Sequence, residues 1–266
     1  MKINKMPSLE QIQEMRYQRS SLYLDEIKKE LFANIIQTQK HAKDIIIIVK
    51  DQLDYVKKCI DSIFKYTKDF NLYIYDNNSS LETRDYLCSI PNVHLIVSPQ
   101  NDGFIKPNNI LAKRTKSDYI ILLNSDTEVF QDWDNMLISQ LNVNPNLGQV
   151  GYCGSKLNDE FKGGPAHLGF DIDYVCGWCF CMPRKVYQEV GLFDEENLDL
   201  AYCEDADLSL RIKEKGYQIY AMYSDLVTHF ENKTILEINQ DLSQRERFAK
   251  AFKENHAYMV KRWKKG

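Results

Sequence analysis

The chain has 266 residues, of which 44% are hydrophobic and 27% are charged, a balance typical of a soluble globular protein with a sizeable core. A formal net charge of −4 disfavours general nucleic-acid binding, and the apolar run DIIIIV is far shorter than the ~20 residues that span a bilayer. The polar N-terminus shows no secretory signal, and seven cysteines, an odd number, favour a reduced cytoplasmic compartment over a disulfide framework.

Residues 1–43 are predicted to form a helical extension. Within 8–42, apolar residues recur at rough helical spacing among Gln, Lys and Glu. No site motif lies among them, so we expect this segment to pack on the main domain, on a partner, or on a second copy of the chain. The apolar positions are Leu9, Ile12, Met15, Leu22, Ile27, Leu31 and Ile35.

From residue 44 the pattern alternates between strand and helix, which predicts βαβ units and an α/β fold with a mostly parallel sheet flanked by helices. The predicted elements are strand 44–49, helix 53–66, strand 71–76, helix 81–88, strand 93–98, helix 106–114 and strand 119–124. Such sheets bind ligands beyond the carboxyl ends of their strands. Polar residues follow the four strands at Asp51, at 76–79, at 101–103 and at 124–126.

Beyond residue 150 the pattern is less regular. The predicted elements there are strand 176–182, helix 184–190, helix 204–216, strand 217–222 and an amphipathic helix 240–263. With no linker visible, we predict one domain over 44–239, with halves 44–128 and 129–239, followed by a C-terminal helix over 240–266.

The segment DYIILLNSDTEVF (118–130) carries a predicted buried strand directly into polar residues. A carboxylate at the end of a buried strand is costly unless it is paired or binds a cation. Mg²⁺ or Mn²⁺ with oxygen ligands would satisfy Asp126. An Asx-turn that ends the strand is the alternative.

Three carboxylates, Glu204, Asp205 and Asp207, begin a predicted helix. Helix capping, with Asp205 as the N-cap, accounts for one of them. The surplus is compatible with a general base. His229 follows a predicted strand; a lone histidine is usually structural, and it gains meaning only if it faces Asp126.

The pattern C-x-x-C-x-C is formed by Cys176, Cys179 and Cys181. A zinc site needs four ligands, and no second pair lies at a fitting spacing. We therefore interpret these cysteines as structural residues of a half-buried strand.

Six segments occur together in an order that resembles family 2 glycosyltransferases, particularly bacterial enzymes similar to rhamnosyltransferases of surface polysaccharide synthesis. They cover about residues 44–230 and read IIIIVKDQLDYVKKCIDSI, YIYDNNSS, NDGFIKPNN, YIILLNSDTEV, GWCFCMPRKVYQEVGLFDEE and YCEDADLSLRIKEKGY. The resemblance implies a GT-A fold and inverting transfer of a sugar, from a UDP- or dTDP-linked donor, to a glycan or lipid-linked acceptor. It also implies a divalent cation, Mn²⁺ or Mg²⁺.

Carried over residue by residue, the resemblance makes Asp76 a contact to the nucleobase, Asp126 and His229 the metal ligands, and Asp205 the general base, with Glu204 as the second candidate. The residues it implies for binding the nucleotide sugar are Val49, Asp51, Asp76, Asn78, Asn101, Lys106, Asn109, Asn124, Ser125, Asp126, Gly177 and Trp178.

Two positions depart from the family pattern. The first strand ends in Ile-Val-Lys-Asp (48–51) where the family often has Pro-Val-Tyr-Asn, so an aromatic that could stack on the base is missing. Asn124 stands where the D-x-D-like element has its first Asp, which implies one protein carboxylate on the metal and weaker metal binding.

Two other function classes remain open from the sequence. One is a non-catalytic sugar-nucleotide or glycan-binding module of a larger assembly. The other is a nucleotidyltransferase, against which the glycine-free segment 49–52 argues. The basic C-terminal end, 261–265, predicts at most a weak contact with a membrane surface, which would place the protein at the inner face of the membrane.

Overall fold

The structure, a computed structural model, describes residues 43–231 and 242–264. The predicted helical extension (1–43), apart from its last residue, lies outside the described residues. So do residues 240 and 241 of the predicted C-terminal helix, and the last two residues of the chain. Among the described residues, no helix has both the length and the apolar character needed to cross a membrane.

The described chain forms twelve strands and seven helices, numbered in chain order. The strands are β1 Lys43–Val49, β2 Phe70–Asp76, β3 Val93–Val97, β4 Tyr119–Leu123, β5 Thr127–Val129, β6 Leu147–Gly151, β7 Gly154–Leu157, β8 Gly163–His167, β9 Tyr174–Val175, β10 Cys179–Pro183, β11 Gln218–Ala221 and β12 Val227–His229. The helices are α1 Leu53–Tyr66, α2 Leu81–Ser89, α3 Ile105–Ala112, α4 Trp133–Val143, α5 Arg184–Val190, α6 Glu204–Glu214 and α7 Leu242–Trp263.

The main sheet has seven strands in the order β11-β6-β10-β4-β1-β2-β3. β1 runs parallel to β2 and β4, β2 parallel to β3, and β6 parallel to β11. β10 runs antiparallel to both of its neighbours, β4 and β6. The predicted α/β fold with a mostly parallel sheet is confirmed. Two smaller sheets have the strand orders β12–β5 and β8–β7–β9.

The sheet is buried on both faces, which explains the run of isoleucines in β1. Ile45 and Ile47 contribute to one hydrophobic cluster and Ile46 to a second, and none of the three side chains is exposed. Successive strand residues point to opposite faces. A central strand covered on both sides therefore needs apolar residues at consecutive positions rather than at alternate ones.

Two elements between residues 129 and 150 were not predicted from the sequence. β6 contains Gly148 and Gly151, which weaken the strand signal. The packing requires Gly151, because a β-carbon there would lie 2.7 Å from the backbone oxygen of Cys179. α4 begins with the fully buried Trp133, whose indole Nε1 donates to Thr67 Oγ1 at 2.8 Å.

Helix α7 is fixed to the loop that precedes α6 by the amide of Asn255. Its Nδ2 group donates to the backbone oxygens of Asp199, Ala201 and Tyr202, at 2.8–3.0 Å, and its Oδ1 accepts from the N–H of Asp199 at 3.0 Å. Asn255 is 1% exposed, so water cannot replace these bonds. The C-terminal helix therefore determines the conformation of residues 199–202.

Replacing Asn255 with Ala should lower the free energy of unfolding by about 2–3 kcal/mol, because several buried backbone groups lose their partners. Urea unfolding monitored by circular dichroism measures the change. The matched control is Lys253→Ala on the exposed face of the same helix, which should stay within about 0.5 kcal/mol of wild type. Equal stability of the two variants would contradict the proposed fixation of the loop by Asn255.

Candidate active site

A cleft of about 320 Å³ opens beyond the carboxyl ends of the parallel strands. Its volume falls at the lower end of the range of small-molecule sites, about 300–1,000 Å³. Both halves of the predicted domain contribute to it. The lining residues are Ile48, Lys50, Asn77, Asn101, Gly103, Phe104, Asn124, Ser125, Asp126, Cys176, Gly177, Trp178, Ala201, Tyr202, Glu204, Asp205, His229 and Phe248.

The segment 124–126 lies at one side of this cleft, directly after β4. The N–H of Asn124 donates to the backbone oxygen of Trp178 at 2.8 Å, and the backbone oxygen of Asp126 accepts from the N–H of Phe230 at 2.9 Å. Asp126 itself is only 7% exposed. The main chain on both sides of the carboxylate is therefore held by neighbouring segments.

His229 faces Asp126, which is the condition under which a functional role was expected for this histidine. The β5–β12 ladder pairs His229 with Thr127, next to Asp126 in the chain. The distance from His229 Nε2 to Asp126 Oδ1 is 3.2 Å. The imidazole also stacks on the indole of Trp178, with ring centroids 4.9 Å apart and planes 11° apart, which fixes the direction of the ring nitrogen.

The polar atoms around Asp126 fit a divalent cation. Asn124 Oδ1 is buried without a hydrogen-bond partner, and the buried His229 Nε2 is near Asp126 Oδ1 at 3.2 Å but makes no hydrogen bond, although buried polar atoms are normally paired. An imidazole nitrogen, a carboxylate and an amide oxygen are all groups that ligate such ions. Within 43–231 and 242–264, no three or more His, Cys, Asp or Glu side chains group into a metal site. Further ligands would therefore have to come from a bound phosphate or from water.

The three clustered carboxylates have different surroundings. α6 begins at Glu204, with Cys203 as the preceding residue in a left-handed conformation, so the prediction of Asp205 as N-cap is wrong. Asp205 accepts from the N–H of Gly177 at 3.1 Å and from the N–H of its chain neighbour, residue 206, at 2.8 Å. Asp207 is turned away, where it accepts from Arg211 Nε at 2.6 Å and from the indole of residue 263 at 3.0 Å.

Burial of the acid pair raises both pKa values. Burial and the neighbouring charge of Asp205 raise the pKa of Glu204 from the usual 4.5 to about 8. Burial also raises the pKa of Asp205, against the opposing effect of the N–H groups that bind its carboxylate. Two N–H groups stabilise the charged form of Asp205, whereas one buried carboxylate oxygen of Glu204 has no partner. The surroundings therefore favour the negative charge on Asp205 and the proton on Glu204.

Nine of the residues predicted for the site line this cleft: Asn101, Asn124, Ser125, Asp126, Gly177, Trp178, Glu204, Asp205 and His229. Six others do not, and four of these are chain neighbours of residues that do. Along β1 the cleft receives Ile48 and Lys50, whereas the predicted residues were Val49 and Asp51. After β2 it receives Asn77, whereas the predicted residues were Asp76 and Asn78. Within β1, Ile48 and Val49 point to opposite sides, as adjacent strand residues do. Asp51 and Asn78 lie beyond the strands, with left-handed φ values of 52° and 64°.

The residues outside the cleft have local partners that explain their positions. Asp76 is fully buried, with Arg84 Nε at 2.8 Å from one carboxylate oxygen, and Asp51 accepts from the Ser80 N–H at 2.6 Å. Asn109 uses both ends of its amide on the backbone of Phe193. Val49 is fully buried, Asn78 is exposed, and Lys106 lies 3.4 Å from Asp102 on the surface.

Asn77 organises the loop after β3 and was not singled out from the sequence. Its Nδ2 donates to Asn101 Oδ1 at 3.0 Å and to the Gly103 oxygen at 2.7 Å, and its Oδ1 accepts from the Asp102 N–H. Gly103 has φ of 81°, and a β-carbon there would meet the Leu200 backbone at 2.6 Å. The alternation of side chains along β2 was the signal that could have identified Asn77.

Three further cleft residues, Cys176, Tyr202 and Phe248, come from distant parts of the sequence. Tyr202 and Phe248 meet edge to face, with ring centroids 6.4 Å apart. Cys176 was interpreted as a strand cysteine, yet it precedes β10 and lines the cleft, whereas Cys179 and Cys181 are fully buried in β10. A hydrogen bond from the Cys176 thiol lowers the pKa of Cys153 to about 7. No local pattern links residues 153, 176, 202 and 248.

Comparison with known proteins agrees with this geometry. A family model described as Glycosyl transferase family 2 matches residues 44–191, more than half of the chain. No match was found among curated proteins. Similar solved structures include that of GalNAc-T7 with UDP, GalNAc and Mn²⁺, which has a TM-score of 0.61 at 15% identity and matches 71% of this chain and 44% of that one.

Two other similar structures contain nucleotide sugars. The mannosyltransferase PcManGT from Pyrobaculum calidifontis, with GDP-Man and Mn²⁺, has a TM-score of 0.59 at 13% identity over 84% of this chain and 65% of that one. TarS from S. aureus, with UDP-GlcNAc, has a TM-score of 0.52 at 15% identity over 70% and 57%. The chain thus spans between 44% and 65% of the length of these three proteins. The likeness confirms the predicted GT-A fold.

The raised pKa of Glu204 makes stability pH-dependent. Its folded-state pKa exceeds the unfolded value, so its stabilising contribution is complete below about pH 4.5 and is lost as the pH rises to about 8. The loss is at most about 1.4 kcal/mol per pH unit. Glu204→Gln should remove this dependence, and urea unfolding between about pH 5 and about pH 8 measures it. The exposed control, Glu196→Gln, should follow wild type; a Glu204→Gln profile parallel to wild type would contradict the assignment.

Proposed function

The chain belongs to glycosyl transferase family 2, and on that premise we propose that it transfers a sugar, with inversion, from a UDP- or dTDP-linked donor to a hydroxyl of a glycan or lipid-linked acceptor. Bacterial surface polysaccharide synthesis, in the cytoplasm or at the inner face of the membrane, is the proposed setting. The observation that carries the proposal is the meeting of the Asp126–His229 pair and the Glu204–Asp205 pair in one cleft.

The place of the nucleotide sugar is inferred from the topology. The strands β1, β2 and β4 end at the cleft, and a parallel sheet binds ligands beyond such ends. GalNAc-T7, PcManGT and TarS, which share the fold, were each solved with a nucleotide or a nucleotide sugar. Lys50 and Asn77 line this part of the cleft, and we propose that they contact the nucleotide.

We propose that Asp126 and His229 hold Mn²⁺ or Mg²⁺, with Asn124 as a neighbouring oxygen donor. When bound, the ion would supply positive charge that stabilises the leaving diphosphate. Asp126 and His229 would keep the ion at the strand end, and Trp178 keeps the imidazole in plane by stacking. One protein carboxylate leaves room for phosphate oxygens on the ion, so we expect metal binding to be tighter when the donor is bound.

We propose Asp205 as the general base. The N–H of Gly177 holds one carboxylate oxygen, and the chain neighbour holds the other, so the carboxylate has a defined orientation towards the cleft. Its raised pKa brings its basicity closer to what proton transfer near neutral pH requires. Asp205 would accept the proton of the attacking hydroxyl. One displacement at the anomeric carbon then inverts its configuration.

The acceptor side of the proposed site is aromatic. Tyr202 lies next to the acid pair in the chain, and its ring meets Phe252 of α7 edge to face at 5.5 Å. Phe252 is 41% exposed. Flat aromatic faces beside polar groups are typical of ligand sites, which supports a sugar-containing acceptor. At the end of α7 the indole of Trp263 donates to Asp207, which supports no more than a weak contact with a membrane surface.

Metal dependence is the first test of this function. Removal of divalent ions with EDTA should abolish sugar transfer, and Mn²⁺ should restore it. Asp126→Ala should abolish Mn²⁺-dependent donor binding in calorimetry against a panel of UDP-, dTDP- and GDP-sugars. The control Glu128→Ala removes a nearby carboxylate of β5 that does not line the cleft, and it should bind donor as wild type does. Full activity in excess EDTA would refute the proposed role of the ion.

The acid pair provides the second test. Asp205→Asn keeps the size of the side chain but removes its basicity, and it should slow transfer by about 10²–10⁴-fold while donor affinity changes little. Glu204→Gln should slow transfer less, because Glu204 is the protonated member. Steady-state transfer and donor titration on both variants separate the two roles. The reverse ranking would exchange the assignments, and two fully active variants would leave the pair without a catalytic function.

A further inference from the structure

Two thiols meet at the wall of the cleft. The sulfur atoms of Cys153 and Cys176 are 3.2 Å apart, and the N–H of Cys176 donates to the backbone oxygen of Cys153 at 2.8 Å. Gly154 of β7 pairs with Val175 of β9 in an antiparallel ladder. Cys153 precedes Gly154 and Cys176 follows Val175, so the two cysteines face each other at the end of this ladder. Both are partly exposed.

This arrangement is close to that of a disulfide. A disulfide has a sulfur–sulfur distance of about 2.05 Å and β-carbons about 3.5–4.5 Å apart. Residues opposite each other on antiparallel strands have β-carbons about 4.5–5.5 Å apart. The sulfur atoms of Cys153 and Cys176 need to approach each other by about 1 Å for the bond to form.

We propose that Cys153 and Cys176 form a thiol–disulfide modification site, oxidised by a low-molecular-weight disulfide. The thiolate of one cysteine attacks a sulfur of the reagent and releases the first thiol. The second cysteine then attacks the mixed disulfide, forms the intramolecular bond and releases the second thiol. The pair loses two electrons and two protons, and the reagent is reduced to two thiols. An external dithiol reduces the bond back to two thiols and is itself oxidised to a disulfide.

The bond would act on the cleft through the residues that follow Cys176. Gly177 holds Asp205 by its N–H. The backbone oxygen of Trp178 accepts from Asn124, and its ring stacks on His229. A shift of about 1 Å at such positions can cost about 100-fold in rate. We expect oxidation to lower sugar transfer by about that factor; this effect rests on the proposed function, whereas the formation of the bond does not.

The experiment treats the full chain with oxidised glutathione and analyses it by intact mass and by non-reducing peptide mapping. We expect a loss of about 2 Da, one peptide that links Cys153 to Cys176, and full recovery with dithiothreitol. In Cys153→Ser the linked peptide should be absent. Cys88→Ser, which removes an exposed cysteine in α2, should form the bond as wild type does.

Transfer rates before and after oxidation then test the consequence. The transfer rates of wild type and Cys88→Ser should fall by about 100-fold on oxidation. The transfer rate of Cys153→Ser should be the same before and after the treatment. A stable glutathione adduct, a link to another cysteine, or no oxidation would overturn the site, and wild-type mapping decides this even if Cys153→Ser fails to fold. A linked but equally active enzyme would overturn the effect. A linked protein with no transfer in either state would instead refute the proposed function alone.

Discussion

The antiparallel pairing of β10 with β4 is the constraint on which the cleft depends. It sets Cys179 opposite Leu123, and the hydrogen bond from Asn124 to the backbone oxygen of Trp178 extends the contact beyond the ladder. The segment that carries Asp126 to the strand end thereby lies beside the segment whose Gly177 N–H binds the Asp205 carboxylate. Were β10 parallel, residues 177 and 178 would lie at the opposite edge of the sheet. A single reversed strand in a mostly parallel sheet thus joins the two halves of the site.

The acid pair follows a strained backbone segment. Leu200, Tyr202 and Cys203 have positive φ values of 56°, 78° and 71°, and each such non-glycine residue costs about 1–3 kcal/mol unless its surroundings enforce the conformation. The enforcing contacts come from outside the loop. Asn255 binds its backbone groups, and the N–H groups of Phe104 and residue 105 donate to the oxygen of Leu200. The C-terminal helix is therefore part of the architecture of the site, although it lies outside the region matched by the family model.

The sequence specified the alternation of strands and helices and the two acidic segments, because each depends on short-range pattern. It predicted helix 184–190 to the residue. The resemblance also led us to expect Asp126, after a strand, and Asp205, at the start of a helix, in one site, and both line the cleft. It was harder to predict which residues at the strand ends point into the cleft. At the ends of β1 and β2 the cleft takes alternate residues, so a shift of one position exchanges Asp76 for Asn77. Features that need distant segments, such as the meeting of Tyr202 with Phe248, have no sequence signal without the tertiary fold.

Burying two adjacent carboxylates is costly, and the surroundings show how the cost is divided. Gly177 stabilises charge on Asp205 with its N–H, and a β-carbon at Gly177 would lie 3.4 Å from that of Asp205. Glu204 keeps one buried carboxylate oxygen without a partner, and it avoids ionisation by a raised pKa. A neutral neighbour limits repulsion, so that one negative charge rather than two is buried. Charge is limited in the same way across the cleft, where the neutral Asn124 stands at the position of the first Asp of the D-x-D-like element, beside Asp126. The cleft thus buries few negative charges, and a bound diphosphate would meet correspondingly little repulsion from the protein.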